Sequence, residues 1–135
     1  MANEVRITTG LQIKKGQLQY QSQPQTVTAD MQGSLGPTPG ALQVTTSGVD
    51  VNLSQLHQQG GWCRIMNLEN ESTVGTGSIN NNYIQYGPKS GGVLINFAWL
   101  FPGEESVFRI DPAMGTMRIK AAHATANVLV EAFDY

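Results

Sequence analysis

The amino-acid sequence predicts an all-β protein, a single antiparallel β-sandwich of jelly-roll type with about nine or ten strands. Three observations predict it. Apolar residues recur with period 2 through most of the chain, as they do on strands with one buried face. Turn-forming residues separate these runs at about 8 to 12 residues, the spacing of sandwiches and barrels. No segment sustains a helical period, which removes βαβ architectures.

The elements follow in order. Val5 and Ile7 alternate with Glu4, Arg6 and Thr8, and Leu11 and Ile13 continue the run. Leu18 and Tyr20 alternate with Gln17, Gln19 and Gln21, which puts amides on one face of a strand and apolar groups on the other. That strand should end near Pro24, because proline cannot donate to a ladder. Val27, Ala29 and Met31 form the next alternating run. GSLGPTPGA, residues 33–41, combines three glycines with two prolines and reads as a loop. It closes a set of N-terminal strands, 1–32, suited to contacting a partner. Its flanks are too similar to mark a boundary, so one domain is expected over 1–135.

Ala41 to Thr45 and then Val49, Val51 and Leu53 alternate again. SQLHQQGG, 54–61, reads as one short helical turn capped by Ser54 and ended by Gly60. The second half is more apolar. WCRIMNLEN (62–70), NYIQYG (82–87), GVLINFAWLF (92–101), SVFRI (106–110), TMRIKA (116–121) and TANVLVEAF (125–133) all read as strands. Between them lie ESTVGTGSINN, PKSG, PGEE, DPAMG and AHA.

Composition narrows function. The 135 residues carry a formal net charge of -2, and Lys14–Lys15 is the one adjacent basic pair. Nothing there attracts nucleic-acid phosphates, so no nucleic-acid partner is expected. No window approaches the roughly 18 apolar residues of a membrane span, so no membrane association is expected either. Only 13% of residues are charged, against about 25% in an average domain. From Gln17 to Val49, Asp30 is the only formal charge. A surface of Gln, Asn, Ser and Thr can bond a neighbouring protein without desolvating ions, which suits assembly.

Chemistry is sparse. His57 and His123 both fall in connectors, and neither has a partner at metal-ligand spacing. Cys63, the single cysteine, lies in an apolar strand, where a thiol is ordinarily inert. No nucleophile elbow, phosphate loop or dinucleotide fingerprint is present. ENES, 69–72, is the loop with most oxygen ligands for calcium, but it lacks a calcium-loop motif. LFPGEESVFRIDP, 100–112, concentrates Glu104, Glu105, Arg109 and Asp111. Proline and glycine make PGEE a tight turn, and the strand after it separates Glu105 from Asp111 by about 17 Å or more. Working glycosidase carboxyls stand roughly 5 to 9.5 Å apart. These acids therefore read as turn residues, and the expectation is no enzyme, no catalytic residue, no metal and no cofactor.

Two tryptophans and several tyrosines remain as binding candidates. Trp62 and Trp99 are expected in the core, Trp99 because its run is the most apolar in the chain. The patch a small ligand would use is Asn82, Tyr83 and Tyr86 with Trp99, which sets side-chain amides beside flat rings.

GGWCRIMNLEN, NNYIQYG, LFPGEESVFRIDP, MRIKA and ATANVLVEAFDY, spanning residues 60–135, carry a resemblance. This succession resembles small β-sandwich virion proteins of tailed bacteriophages, of the capsid decoration or cement type. The resemblance implies a non-enzymatic structural protein located in the virion and assembled in the host cytoplasm. It would stabilise the shell by contact with the major capsid protein or another virion protein, as a homo-oligomer, dimer or trimer. The alternative is a carbohydrate- or receptor-binding β-sandwich module in a head fibre or tail component.

Overall fold

A computed structural model of the chain describes residues 4–31, 33–56, 60–70 and 82–134. Every regular element among them is a β-strand and every pairing is antiparallel. The chain divides into two compact units, Met1–Gln32 and Gly33–Tyr135, where the sequence predicts one domain over 1–135. The strands of the first unit find their ladder partners within it.

The first unit is a two-stranded ribbon built as a nested hairpin. Its strands are β1 (Val5–Thr9), β2 (Gln12–Lys15), β3 (Leu18–Gln21) and β4 (Gln25–Ala29), with β1 paired to β4 and β2 to β3. Between the two ladders, the Ser22 amide donates to the Leu11 carbonyl at 2.9 Å and the Leu11 amide to the Ser22 hydroxyl at 2.8 Å. Gly16, at φ +57°, makes the two-residue turn at the tip, a conformation that favours glycine. Ile13 stands opposite Tyr20 and Ile7 opposite Val27, so apolar pairs share a face as the alternation predicts.

The second unit is a β-sandwich. One sheet has the order β11-β7-β13-β5, from β5 (Thr38–Val44), β7 (Trp62–Asn67), β11 (Glu105–Arg109) and β13 (Ala126–Ala132). The other has the order β10-β8-β12-β6, from β6 (Val49–Asp50), β8 (Ile84–Ser90), β10 (Ala98–Leu100) and β12 (Met117–Ala121). The short β9 (Val93–Leu94) pairs with β8. Alternate residues of both sheets meet in one core. Cys63, Ile65, Val128 and Val130 come from the first sheet, and Ile84, Tyr86, Leu100, Met117 and Ile119 from the second.

Several boundaries depart from the sequence reading. The described residues hold thirteen strands rather than nine or ten, because the ribbon supplies four and β6 and β9 are two-residue pieces. The predicted loop 33–41 is strand from Thr38 onward, running through Pro39, which pairs with Glu131. Since β5 is a sheet edge with a ladder on one side only, a missing N–H is tolerated there. Pro88, Lys89 and Ser90 of PKSG are the end of β8, and the turn follows at Gly91 and Gly92, both at positive φ. The run 92–101 breaks into β9 and β10, with Ile95 crossing Gly87 so closely that a Cβ on Gly87 would strike the Ile95 carbonyl. At 54–61, the Asn52 side chain accepts the Ser54 amide at 3.0 Å and the Leu56 amide reaches the Leu53 carbonyl at 3.0 Å. Residues 57–59, His57 among them, lie outside the described residues, so the predicted turn from Ser54 to Gly60 is described only as far as Leu56.

Candidate functional site

Strand parity decides which rings reach the surface. On β10, Ala98 and Leu100 face the core, so Trp99 between them faces out and is 58% exposed. Trp99 pairs with Gln85 on β8, and Gln85 pairs in turn with Lys120 on β12. Tyr83, just before β8, shares this outer face. Its ring centroid lies 5.1 Å from Trp99 and 5.5 Å from Phe101, both tilted, and 5.7 Å from His123 edge-on. Such tilted and edge-on geometries suit the ring quadrupoles. Val93, Ile95 and Phe97 earlier in the run are also exposed, Phe97 at 78%, but the register against β8 shifts by one residue between β9 and β10, so Val93, opposite Ser90, lies on the other face from Trp99, opposite Gln85.

A buried amide pair anchors the cluster from below. The Asn67 side-chain amide donates to the Asn82 carbonyl at 3.2 Å and to the Leu100 carbonyl at 3.1 Å, and its oxygen accepts the Glu69 amide at 3.1 Å. Asn82 Oδ1 accepts the His123 and Ala124 amides at 3.0 and 3.1 Å, while Nδ2 donates to the Ala124 carbonyl at 3.0 Å. These bonds fix the strand ends carrying Tyr83 and Trp99 and the turn carrying His123.

The sequence-predicted patch therefore splits. Tyr83 and Trp99 come together on the surface. Tyr86 is 3% exposed and stacks on Phe108 at 5.7 Å inside the sandwich, and Asn82 is a buried structural amide. Tyr86 also lines, with Phe97, Phe108, Ile110, Met114 and Met117, an apolar crevice of about 410 Å³ at the sandwich mouth. Both tryptophans leave the predicted core. Trp62 alternates with buried Cys63 and Ile65, so it lies on the outer face of β7, half-buried under the Arg109 guanidinium 5.1 Å from its ring. The sequence pointed neither to Phe101 nor to His123; only the odd parity that Phe101 shares with Trp99 marks it as Trp99's companion.

The acids of 100–112 are consumed by local structure. Pro102 and Gly103 (φ +82°) form the centre of a turn closed by the Glu104 amide to the Phe101 carbonyl at 3.0 Å. The Glu104 carboxylate accepts the Phe101 amide at 2.9 Å, and Asp111 accepts the Ala113 amide at 2.8 Å. Glu105 and Glu131 flank Arg64, at 2.6 and 2.9 Å, and hold its guanidinium above the ordinary arginine value, Glu131 foremost. Burial pushes the Cys63 thiol up to about 12, away from nucleophilic use. In the ENES loop, Glu69 accepts the Asn127 amide at 2.8 Å, and residues 71–72 lie outside the described residues. Among the described residues, no three His, Cys, Asp or Glu side chains group as a metal site, and no helix is long and apolar enough to cross a membrane.

The arrangement offers an apolar and aromatic contact surface rimmed by an amide and a lysine. Set against known proteins, the chain matches no family model, no curated protein and no solved structure.

Proposed function

We propose that this chain is a non-enzymatic structural protein of a phage particle, a capsid decoration or cement subunit that stabilises a shell through protein–protein contacts. The observation that carries the reading is the exposed cluster of Trp99 and Phe101 around Tyr83, in a run that leaves Val93, Ile95 and Phe97 exposed as well. Monomeric domains rarely leave a contiguous apolar surface of this kind uncovered, and such surfaces mark interaction sites. The weakly charged, amide-rich remainder of the surface supports it, as does the succession of motifs from 60 to 135 that resembles such virion proteins. The strand orders β5-β13-β7-β11 and β6-β12-β8-β10, with the chain changing sheets at most loops, support the jelly-roll form of the sandwich. The partner is the major capsid protein or another virion protein, and the subunit works as a homo-oligomer.

The test is proteomics of purified particles from a lysate that expresses the chain, beside a Phe97→Ser/Trp99→Ser variant. The wild-type chain should co-purify with particles, and the variant should fold but stay behind. Absence of the wild-type chain from particles, or normal incorporation of the variant, would overturn the proposal. A second reading rests on the exposed Trp99 ring, tilted 37° to Tyr83, as a stacking platform for a sugar in a carbohydrate-binding module. Reproducible glycan-array binding that is lost on Tyr83→Ala would establish it.

A further inference from the structure

We propose that the N-terminal ribbon is a self-association arm: two copies of the chain pack their ribbons antiparallel, apolar face on apolar face, about a two-fold axis. The inference rests on the ribbon alone and does not need the virion reading.

The ribbon is thermodynamically incomplete. A lone two-stranded hairpin is marginal in water, and three strands or a packed face are needed for independent stability. Here no residue from Glu4 to Met31 is buried, and Leu11, Ile13, Leu18, Tyr20 and Val27 are all exposed large apolar side chains. Ile13 with Tyr20, and Ile7 with Val27, form cross-strand pairs on the apolar face, while Gln12, Lys14, Gln19 and Gln21 take the other face at the tip.

Charge selects the occupant and its direction. At the base of the ribbon stand Glu4, Asp30 and Arg6, two acids and one base; at the tip stand Lys14 and Lys15, with no acid beside them. The Glu4 carboxylate is kept at the base by accepting the Met31 amide at 2.8 Å. Base and tip lie about 33 Å apart along the strand, several times the screening length of about 8 Å in physiological salt, so within one ribbon they do not neutralise each other. A second copy laid antiparallel brings each lysine pair to the partner's acidic base. A parallel copy would set lysine pair on lysine pair. An isologous contact of this sort closes on itself as a two-fold dimer.

Size exclusion with light scattering on the full chain tests this with two charge swaps, Lys14→Glu/Lys15→Glu and Glu4→Lys/Asp30→Lys. Wild type should be a dimer, and each swap alone should weaken dimerisation by about tenfold or more. Mixed one to one, the swapped chains should recover a two-chain species, since tip and base are again opposite in sign at both contacts. Leu18→Ser/Tyr20→Ser should also give a monomer while the thermal transition of the sandwich stays in place. A monomeric wild-type chain, a trimer, a dimer indifferent to the swaps, or a mixture that fails to recover the dimer would each overturn the arrangement.

Discussion

The ribbon and the sandwich carry the same sequence pattern and reach opposite outcomes. Period-2 alternation runs through Leu18 and Tyr20 as plainly as through Val128 and Val130, yet the first pair is mostly exposed and the second fully buried. Alternation specifies that a strand has two faces; it does not supply a second layer to cover one of them. In Gly33–Tyr135, two sheets meet and their inward residues leave water together, gaining roughly 25 cal/mol per Å² of apolar area. In Met1–Gln32, the ladder is formed and the gain is left to whatever docks.

The sharpest way to break this comparison is to truncate one apolar side chain in each region. Ile65, fully buried at the centre of β7, should cost about 2 to 5 kcal/mol on Ile65→Ala, through lost transfer energy and the cavity left behind. Leu18→Ala in the ribbon, measured at a concentration dilute enough to keep the chain monomeric, should cost under about 0.5 kcal/mol, as expected of surface positions. Urea unfolding of both variants, followed by circular dichroism, measures the difference. Equal losses would mean that the ribbon already has a buried face.

This asymmetry also explains what was legible in the sequence. The all-β class and most strands of the sandwich follow from period 2, because Cys63 with Ile65, or Met117 with Ile119, could lie together only on a strand. The turn at Pro102–Gly103 follows from residues that preset its dihedral angles. Trp62 and Trp99 lie outside the core that their hydrophobicity predicts, because hydrophobicity alone does not say which face of a strand a residue takes. Parity along β7 and β10 gives the inward positions to their neighbours, and a tryptophan in an apolar run can then be left outside. The strand beginning at Thr38 was hidden because Pro39 breaks a central ladder but not an edge, and edge position belongs to the topology. Asn67 carried no signal at all: a buried amide is defined by the carbonyls that the fold brings to it.

Asn67 gives the next prediction, intermediate in size. Asn67→Ala would leave the Asn82 and Leu100 carbonyls and the Glu69 amide without this partner, in a residue position with no exposure. One unsatisfied buried group costs about 1 to 3 kcal/mol, so a loss of about 2 to 3 kcal/mol is expected once relaxation is allowed. Because both carbonyls belong to segments carrying the aromatic cluster, tryptophan fluorescence at Trp99 should shift in the folded variant as well. A shift without a stability loss would show that the amide positions the rings but does not hold the sandwich.

The smallest effect concerns charge on the sandwich surface. Asp50 lies 2.7 Å from both Arg118 and Lys89, and their hydrogen bonds, Arg118 foremost, hold its carboxyl below the ordinary value. In the unfolded chain an aspartate takes up its proton near pH 3.9. A lowered folded value means that the interaction stabilises fully above that pH and is lost as pH falls through the lower folded value. Asp50 is solvent-exposed, so the contribution is small and salt-sensitive. Urea midpoints of wild type and Asp50→Asn should therefore differ at pH 7 and converge below about pH 4, with the gap at pH 7 narrowing in high salt. A gap that persists at low pH would assign the role of Asp50 to packing on β6, where its partner Arg118 stands directly across the ladder.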